Sequence, residues 1–243
     1  MPRPLYRQRW SWVDGKRLTR QPKIPGIEGA DFAFSTLADL GLMTTRQLAD
    51  FQDATGLANM AWRAFWNKST LHEADDDYRA MMRRVHGFVV FMHGWNGTRE
   101  IWEHLPALVC AANPRLVSLV PDLNGFGGSR FLADVPALEQ CSPSAVMRSV
   151  VHWVEMLGLR SSPRARRRRR VITFVGHSTG GAALFYFDHK WHANEFSRCA
   201  VAPTLLVEKE ILPCVGPCGL GGKAATDSPR GREYDRRRVR YNS

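Results

Sequence analysis

The chain has 243 residues, 44% hydrophobic and 23% charged. That is enough to bury a sizeable core, and the composition is that of an ordinary globular protein, not a collagenous or low-complexity one. The net charge of +11 looks like a nucleic-acid signal until it is located: residues 160–170 hold seven Arg and no acid, residues 219–243 hold seven Lys or Arg against three acids, and the rest is neutral. Five cysteines (Cys110, Cys141, Cys199, Cys214 and Cys218) are odd in number, widely spaced and follow no signal peptide, so a reducing, cytoplasmic setting is expected. Cys214 and Cys218 could in principle chelate a metal, but two ligands with no matching pair do not favour it. No apolar run approaches the ~20 residues needed to span a bilayer.

In chain order, Trp10, Trp12 and Val13 precede Asp14-Gly15, a two-residue turn signal, and predict a hairpin over residues 7–20. Pro22, Pro25, Gly26 and Gly29 then break the chain. Residues 32–85 read as helical. Thr44 or Thr45 caps a helix carrying Leu48 and Phe51; Met60, Ala61, Ala64 and Phe65 mark another; Tyr78, Met81, Met82 and Val85 follow the acidic cap at residues 75–77. Trp62 and Trp66, one turn apart on that reading, are expected to pack in the core. Residues 1–85 thus form an expected N-terminal hairpin and helical region.

Residues 88–95, FVVFMHGW, predict a buried strand ending in His93-Gly94-Trp95-Asn96-Gly97, followed by a helix with Ile101, Trp102, Leu105 and Leu108. Residues 116–129 predict another strand, then Pro121-Asp122 and a turn at Gly125, Gly127 and Gly128. Ser142 as cap and Pro143 in the first turn announce a helix with Val146, Val150, Val151, Val154 and Leu157 on one face and Gly158 as its stop. Residues 160–170, with five consecutive arginines, read as a solvated loop; lacking interleaved aromatics, they do not favour a nucleic-acid partner.

Residues 171–187, VITFVGHSTGGAALFYF, carry the chemistry. A β-branched and aromatic run, expected to be a strand buried on both faces, turns into a helix around Gly176-His177-Ser178-Thr179-Gly180. Such a turn strains the residue at the bend and needs glycines on either side. Ser178 is that residue, with its hydroxyl presented clear of the sheet. The helix is expected to run from Ala182 to about residue 197, and residues 199–207 to begin the next strand.

These segments together resemble the α/β-hydrolase family, over Phe88 to about Val207. The resemblance implies an α/β fold, a mostly parallel sheet flanked by helices, incomplete at its C-terminal side, with the partial core at residues 86–215; residues 216–243, rich in Gly, Pro and Arg and without a strand pattern, read as a disordered basic tail. It implies Ser178 as nucleophile and the backbone N–H groups of Trp95 and Thr179 as an oxyanion hole. Asp122 is structural on the same reading. The implied activity is hydrolysis of a small carboxylic ester of the esterase or lipase kind, with neither metal nor organic cofactor.

The family also uses a histidine base and an acid after the later strands. Glu208 or Glu210 could occupy an acid position. His189 and His192 follow Ser178, but a continuous helix would carry them roughly 16–21 Å along its axis. His177 is expected to face away, His86, His104 and His152 lie on other elements, and nothing favours His72. Two outcomes therefore stay open: an active serine hydrolase, or an inactive truncated fragment or pseudoenzyme lacking the catalytic His and acid.

Overall fold

The computed structural model describes residues 16–17, 24–70, 84–159, 170–187 and 196–201. They form a seven-stranded sheet in the order β1-β2-β3-β5-β4-β6-β7. Its strands are β1 (Lys16–Arg17), β2 (Ile27–Ala33), β3 (Ala61–Asn67), β4 (Gly87–Met92), β5 (Leu116–Pro121), β6 (Val171–His177) and β7 (Phe196–Val201). The four strands from β5 through β4 and β6 to β7 are parallel, while β1, β2 and β3 join them in antiparallel pairs. The helices are α1 (Phe34–Asp39), α2 (Thr45–Thr55), α3 (Leu105–Ala112), α4 (Pro143–Met156) and α5 (Thr179–Ala183).

Two apolar layers lie on opposite faces of this sheet. The larger gathers Phe32, Trp62, Ala64, Phe88, Val90, Leu119, Ile172 and Phe174 from alternate strand positions under α1, α2 and α4. The smaller gathers Phe65, Val89, Phe91 and Val120 under Ala107 and Cys110 of α3. Local signals place the covering helices as expected. Thr44 caps α2 in a reciprocal box with Gln47, whose backbone N–H donates to Thr44 Oγ1 at 3.2 Å. Ser142 caps α4 by accepting from the Ala145 N–H at 3.2 Å, with Pro143 opening the helix.

Five expectations are corrected. Residues 61–67 are strand, not helix. Trp62, Ala64 and Trp66 face one layer and Phe65 the other, and six consecutive residues, 61–66, are buried. A short run buried on both faces satisfies helical and strand spacings alike, and its aromatic content belongs to the strand. Residues 27–33, partly assigned to a loop, are also strand and pair with all of β3. The segment after β4 forms a 3₁₀ turn (Arg99–Trp102) and then α3, broken at Glu103 with φ 45°, instead of one helix; Ile101, Leu105 and Leu108 are exposed.

The helix after Ser178 stops at Ala183, and a 3₁₀ turn (Leu184–Tyr186) follows. Phe187 then packs on Phe174 and Phe196, at ring-centroid distances of 5.4 and 4.2 Å, so the aromatic run turns back to the sheet. Phe196 and Ser197, expected at the end of that helix, begin β7. β6 itself alternates: Ile172 and Phe174 are fully buried, but Val171 is 40% exposed. α3 packs over β2, β3 and β5, leaving that side of β6 only partly covered.

The N-terminal hairpin turn, the 78–82 stripe, the Arg run at 160–169 and the tail at 216–243 lie outside the described residues. Of the hairpin, Lys16 and Arg17 pair with Asp31 and Ala30 of β2.

Trp62 is fully buried, stacked on Phe32 and edge-on to Phe34 and Trp153. Trp62→Ala is expected to lower unfolding stability by about 3–5 kcal/mol, a loss typical of a core aromatic. A urea titration reads it; a loss below about 1 kcal/mol would fit a surface position instead.

Candidate active site

Ser178 stands at the carboxyl end of β6 with φ 53° and ψ −118°, a conformation costly for a residue with a side chain. Its surroundings impose that cost. A Cβ at Gly176 would collide with the Gly180 backbone, and one at Gly180 with the carbonyls of Met92 and His93. The two glycines thus let the chain reverse against itself and against the end of β4. Val201 accepts from the Ser178 N–H at 3.1 Å, and Ser178 accepts from the Ala182 N–H at 2.9 Å, holding the bend from both sides. Thr179 opens α5, where the first N–H groups have no acceptor within the helix.

The loop after β4 lies against this bend. A Cβ on Gly94 would come within 2.9 Å of Ser178 Cβ and 3.2 Å of His177 Nδ1. Residues 94–97 close a turn in which the Gly97 N–H donates to the Gly94 carbonyl at 3.2 Å, with Asn96 at φ 58°. The structure therefore brings Ser178, Trp95 and Thr179 into adjoining backbone segments, one on the loop after β4 and two at the bend.

His93 ties that loop to the one after β5. Its ring is fully buried; Nε2 accepts from the Leu123 N–H at 2.9 Å, and Nδ1 donates to the Gly94 carbonyl at 2.8 Å. Both nitrogens are engaged by the neutral ring protonated at Nδ1. Burial pushes the His93 pKa below the usual imidazole value, against the opposing pull of the Gly94 carbonyl and Asp122. Phe126 presents an edge-on contact to both His93 and Trp95, at 5.6 and 5.2 Å.

Asp122 is structural. It is 2% exposed, accepts from the N–H groups of Arg99 and Gly128 at 2.9 Å each, and pairs with the Arg99 guanidinium at 3.2 Å. Arg99 also approaches Asp31 at 3.6 Å. Arg63, buried on β3, holds Asp31 through two bonds of 2.9 and 3.1 Å and Glu100 at 2.8 Å. The sequence gives no pattern for these partners, which lie far apart along the chain.

Of the other histidines, His86 contacts Arg115 before β4, His104 caps α3 without a side-chain bond, and His152 stacks on Phe51. His177 lies beside Gly94. His72, His189, His192, Glu208 and Glu210 lie outside the described residues. The helix stops at Ala183 and the 3₁₀ turn at Tyr186, so an axial distance reckoned along a continuous helix no longer sets His189 and His192 apart from Ser178. Among the described residues, no three His, Cys, Asp or Glu side chains converge as metal ligands, and no helix is long and apolar enough to cross a membrane.

With this geometry in place, comparison with known proteins identifies the class: the model of the alpha/beta hydrolase family matches residues 89–242, and the chain belongs to that family. The match runs well past Val207. No curated protein matches. Similar solved structures include an epoxide hydrolase from Vigna radiata (12% identity, 74% of this chain and 39% of that one, TM-score 0.44). Others are a serine hydrolase from the polyaromatic-hydrocarbon-degrading Cycloclasticus zankles (13%, 62% and 43%, 0.42) and an esterase from Exiguobacterium antarcticum (16%, 50% and 39%, 0.39). The chain spans about two-fifths of the length of these structures.

The buried imidazole of His93 and the half-buried one of His152 give the fold a pH dependence. Burial lowers the pKa of His93 and of His152. Below about pH 6.5 the unfolded chain therefore binds protons that the folded chain refuses. Stability is expected to be level above that pH and to fall as pH drops toward the depressed folded values, by up to about 1.4 kcal/mol per pH unit for each group. Urea midpoints between about pH 5 and 7.5 read this, and His152→Phe should reduce the slope. An unchanged midpoint would contradict the placement of both rings.

Proposed function

We propose that the chain is a serine hydrolase acting on carboxylic esters, with Ser178 as nucleophile and the backbone N–H groups of Trp95 and Thr179 as oxyanion donors. The observation that carries this reading is the strained bend at Ser178, with the Gly94 loop packed against its Cβ. A backbone held at φ 53° on a serine, between two glycines that tolerate no side chain, is costly for a bystander residue. It is what a nucleophile presented at the edge of a sheet requires.

In the reaction, Ser178 Oγ attacks the carbonyl carbon, its proton passes to a base, and negative charge develops on the carbonyl oxygen between the two N–H groups. Collapse breaks the ester C–O bond, and the alcohol leaves with the proton. Water then attacks the acyl group by the same route, releasing the acid and restoring Ser178. Donors fixed before the reaction matter because each contributes about 3 kcal/mol of barrier lowering. His93 is not the base, since both its nitrogens are bonded within the loops. His189 and His192, which follow α5 in sequence, are the first to replace in seeking one.

A second reading, a hydrolase scaffold that binds without turnover, is favoured by the placement of His86, His104 and His152 on other elements. One experiment separates the two. The full chain is treated with a serine-directed phosphonate and assayed on short-chain p-nitrophenyl esters, beside Ser178→Ala. The hydrolase reading expects labelling, with turnover falling at least about a thousandfold in the variant. Absence of both in the unmodified chain would support the scaffold reading.

A further inference from the structure

We propose that His93 is a positioning residue: by holding the Gly94 carbonyl it turns the N–H of the same peptide, that of Trp95, toward Ser178. The inference rests on the hydrolase reading of Ser178 and adds to it the group that orients one oxyanion donor.

Leu123 sets the tautomer of His93. A backbone N–H can only donate, so His93 Nε2, 2.9 Å from it, must accept, and the ring proton is forced onto Nδ1. Nδ1–H then faces the Gly94 carbonyl at 2.8 Å. That carbonyl takes a second bond from the Gly97 N–H at 3.2 Å, so donors occupy its side of the peptide plane. No described peptide is cis. In a trans peptide the N–H points opposite to the C=O, which sends the Trp95 N–H away from the His93 ring. Among the described residues that N–H has no hydrogen-bond partner.

Two further contacts fix the arrangement. Gly94 lies against the Ser178 Cβ, so the peptide with the pinned carbonyl borders the bend itself. The imidazole is fully buried and held edge-on by Phe126 at 5.6 Å, leaving the ring no freedom to release its hold. Without the Nδ1 donor, the longer Gly97 bond alone would hold the peptide.

The two nitrogens can be tested separately. In His93→Asn the side-chain amide can take the place of Nδ1 and donate to the Gly94 carbonyl, while the acceptor for Leu123 is lost. In His93→Gln the side-chain oxygen can take the place of Nε2 and accept from Leu123, while the Gly94 donor is lost. If His93 acts through the Gly94 carbonyl, kcat on a p-nitrophenyl ester falls about 100-fold in His93→Gln and is largely rescued in His93→Asn, with KM little changed in both. Equal activities, a better glutamine variant, or a loss confined to KM would overturn the proposal.

A measurement without turnover accompanies this. In ¹⁵N-histidine spectra of the unmodified chain at about pH 7.5, where a free imidazole is already neutral, His93 should show a protonated Nδ1 and a bare Nε2, the tautomer that its two bonds require. A proton on Nε2 would overturn the proposal even if neither variant folds. Absence of turnover in the unmodified chain would sink the hydrolase reading, while the spectrum would still decide how His93 holds Gly94.

Discussion

The crossing of two backbones at Gly180 is the constraint on which the rest of the structure depends. There the start of α5 presses on the carbonyls that end β4, so closely that no side chain fits between them. Such contact is possible only if β4 and β6 are neighbours in register, and they are paired from Gly87 with Val171 to Met92 with Gly176. The same parallel arrangement puts the loops after β4, β5 and β6 at one edge of the sheet, where ligands bind in open α/β sheets. Ser178 and Gly94 meet because of strand order, not because of any attraction between them.

Polar groups then hold those loops at fixed spacing. His93 joins the loop after β4 to the loop after β5, and Asp122 returns the favour by accepting from Arg99. From Arg99 the chain of charges continues through Asp31 to Arg63 and Glu100, linking β2 and β3 to the site. Buried ion pairs add little net stability, because desolvation offsets the attraction. Their effect here is one of geometry: Arg63 and Asp122 are nearly excluded from water, so each has only its present partners to satisfy it. The antiparallel half of the sheet thereby shares in setting the loops around Ser178.

The features legible in the sequence were those whose cause is local. The bend at Ser178 is written in two glycines and a serine within five residues, the caps of α2 and α4 in Thr44 and Ser142, and the end of β4 in His93-Gly94. β3 was not legible, because Met60, Ala61, Ala64 and Phe65 fit a helical face as well as a strand buried on both sides, and only pairing with β2 and β5 decides between them. The early end of α5 was hidden for a related reason: Phe187 leaves the helix to reach Phe174 and Phe196, partners that the local pattern does not reveal. The roles of His93 and Asp122 needed the loops to be seen side by side.

The site also separates two tasks that imidazoles perform. A ring that orients a peptide must keep one tautomer and resist protonation, and burial with both nitrogens bonded gives His93 that character. A ring that activates a serine must accept a proton and release it, which calls for one nitrogen turned to the hydroxyl and a pKa near the working pH. One imidazole cannot meet both demands. Because both nitrogens of His93 are bonded, the proposed general-base chemistry at Ser178 would require a second group, brought to the same edge of the sheet by another part of the chain. On the proposed reading, the oxyanion donors would be fixed within the loops after β4 and β6, while the proton acceptor would depend on a separate element being in place.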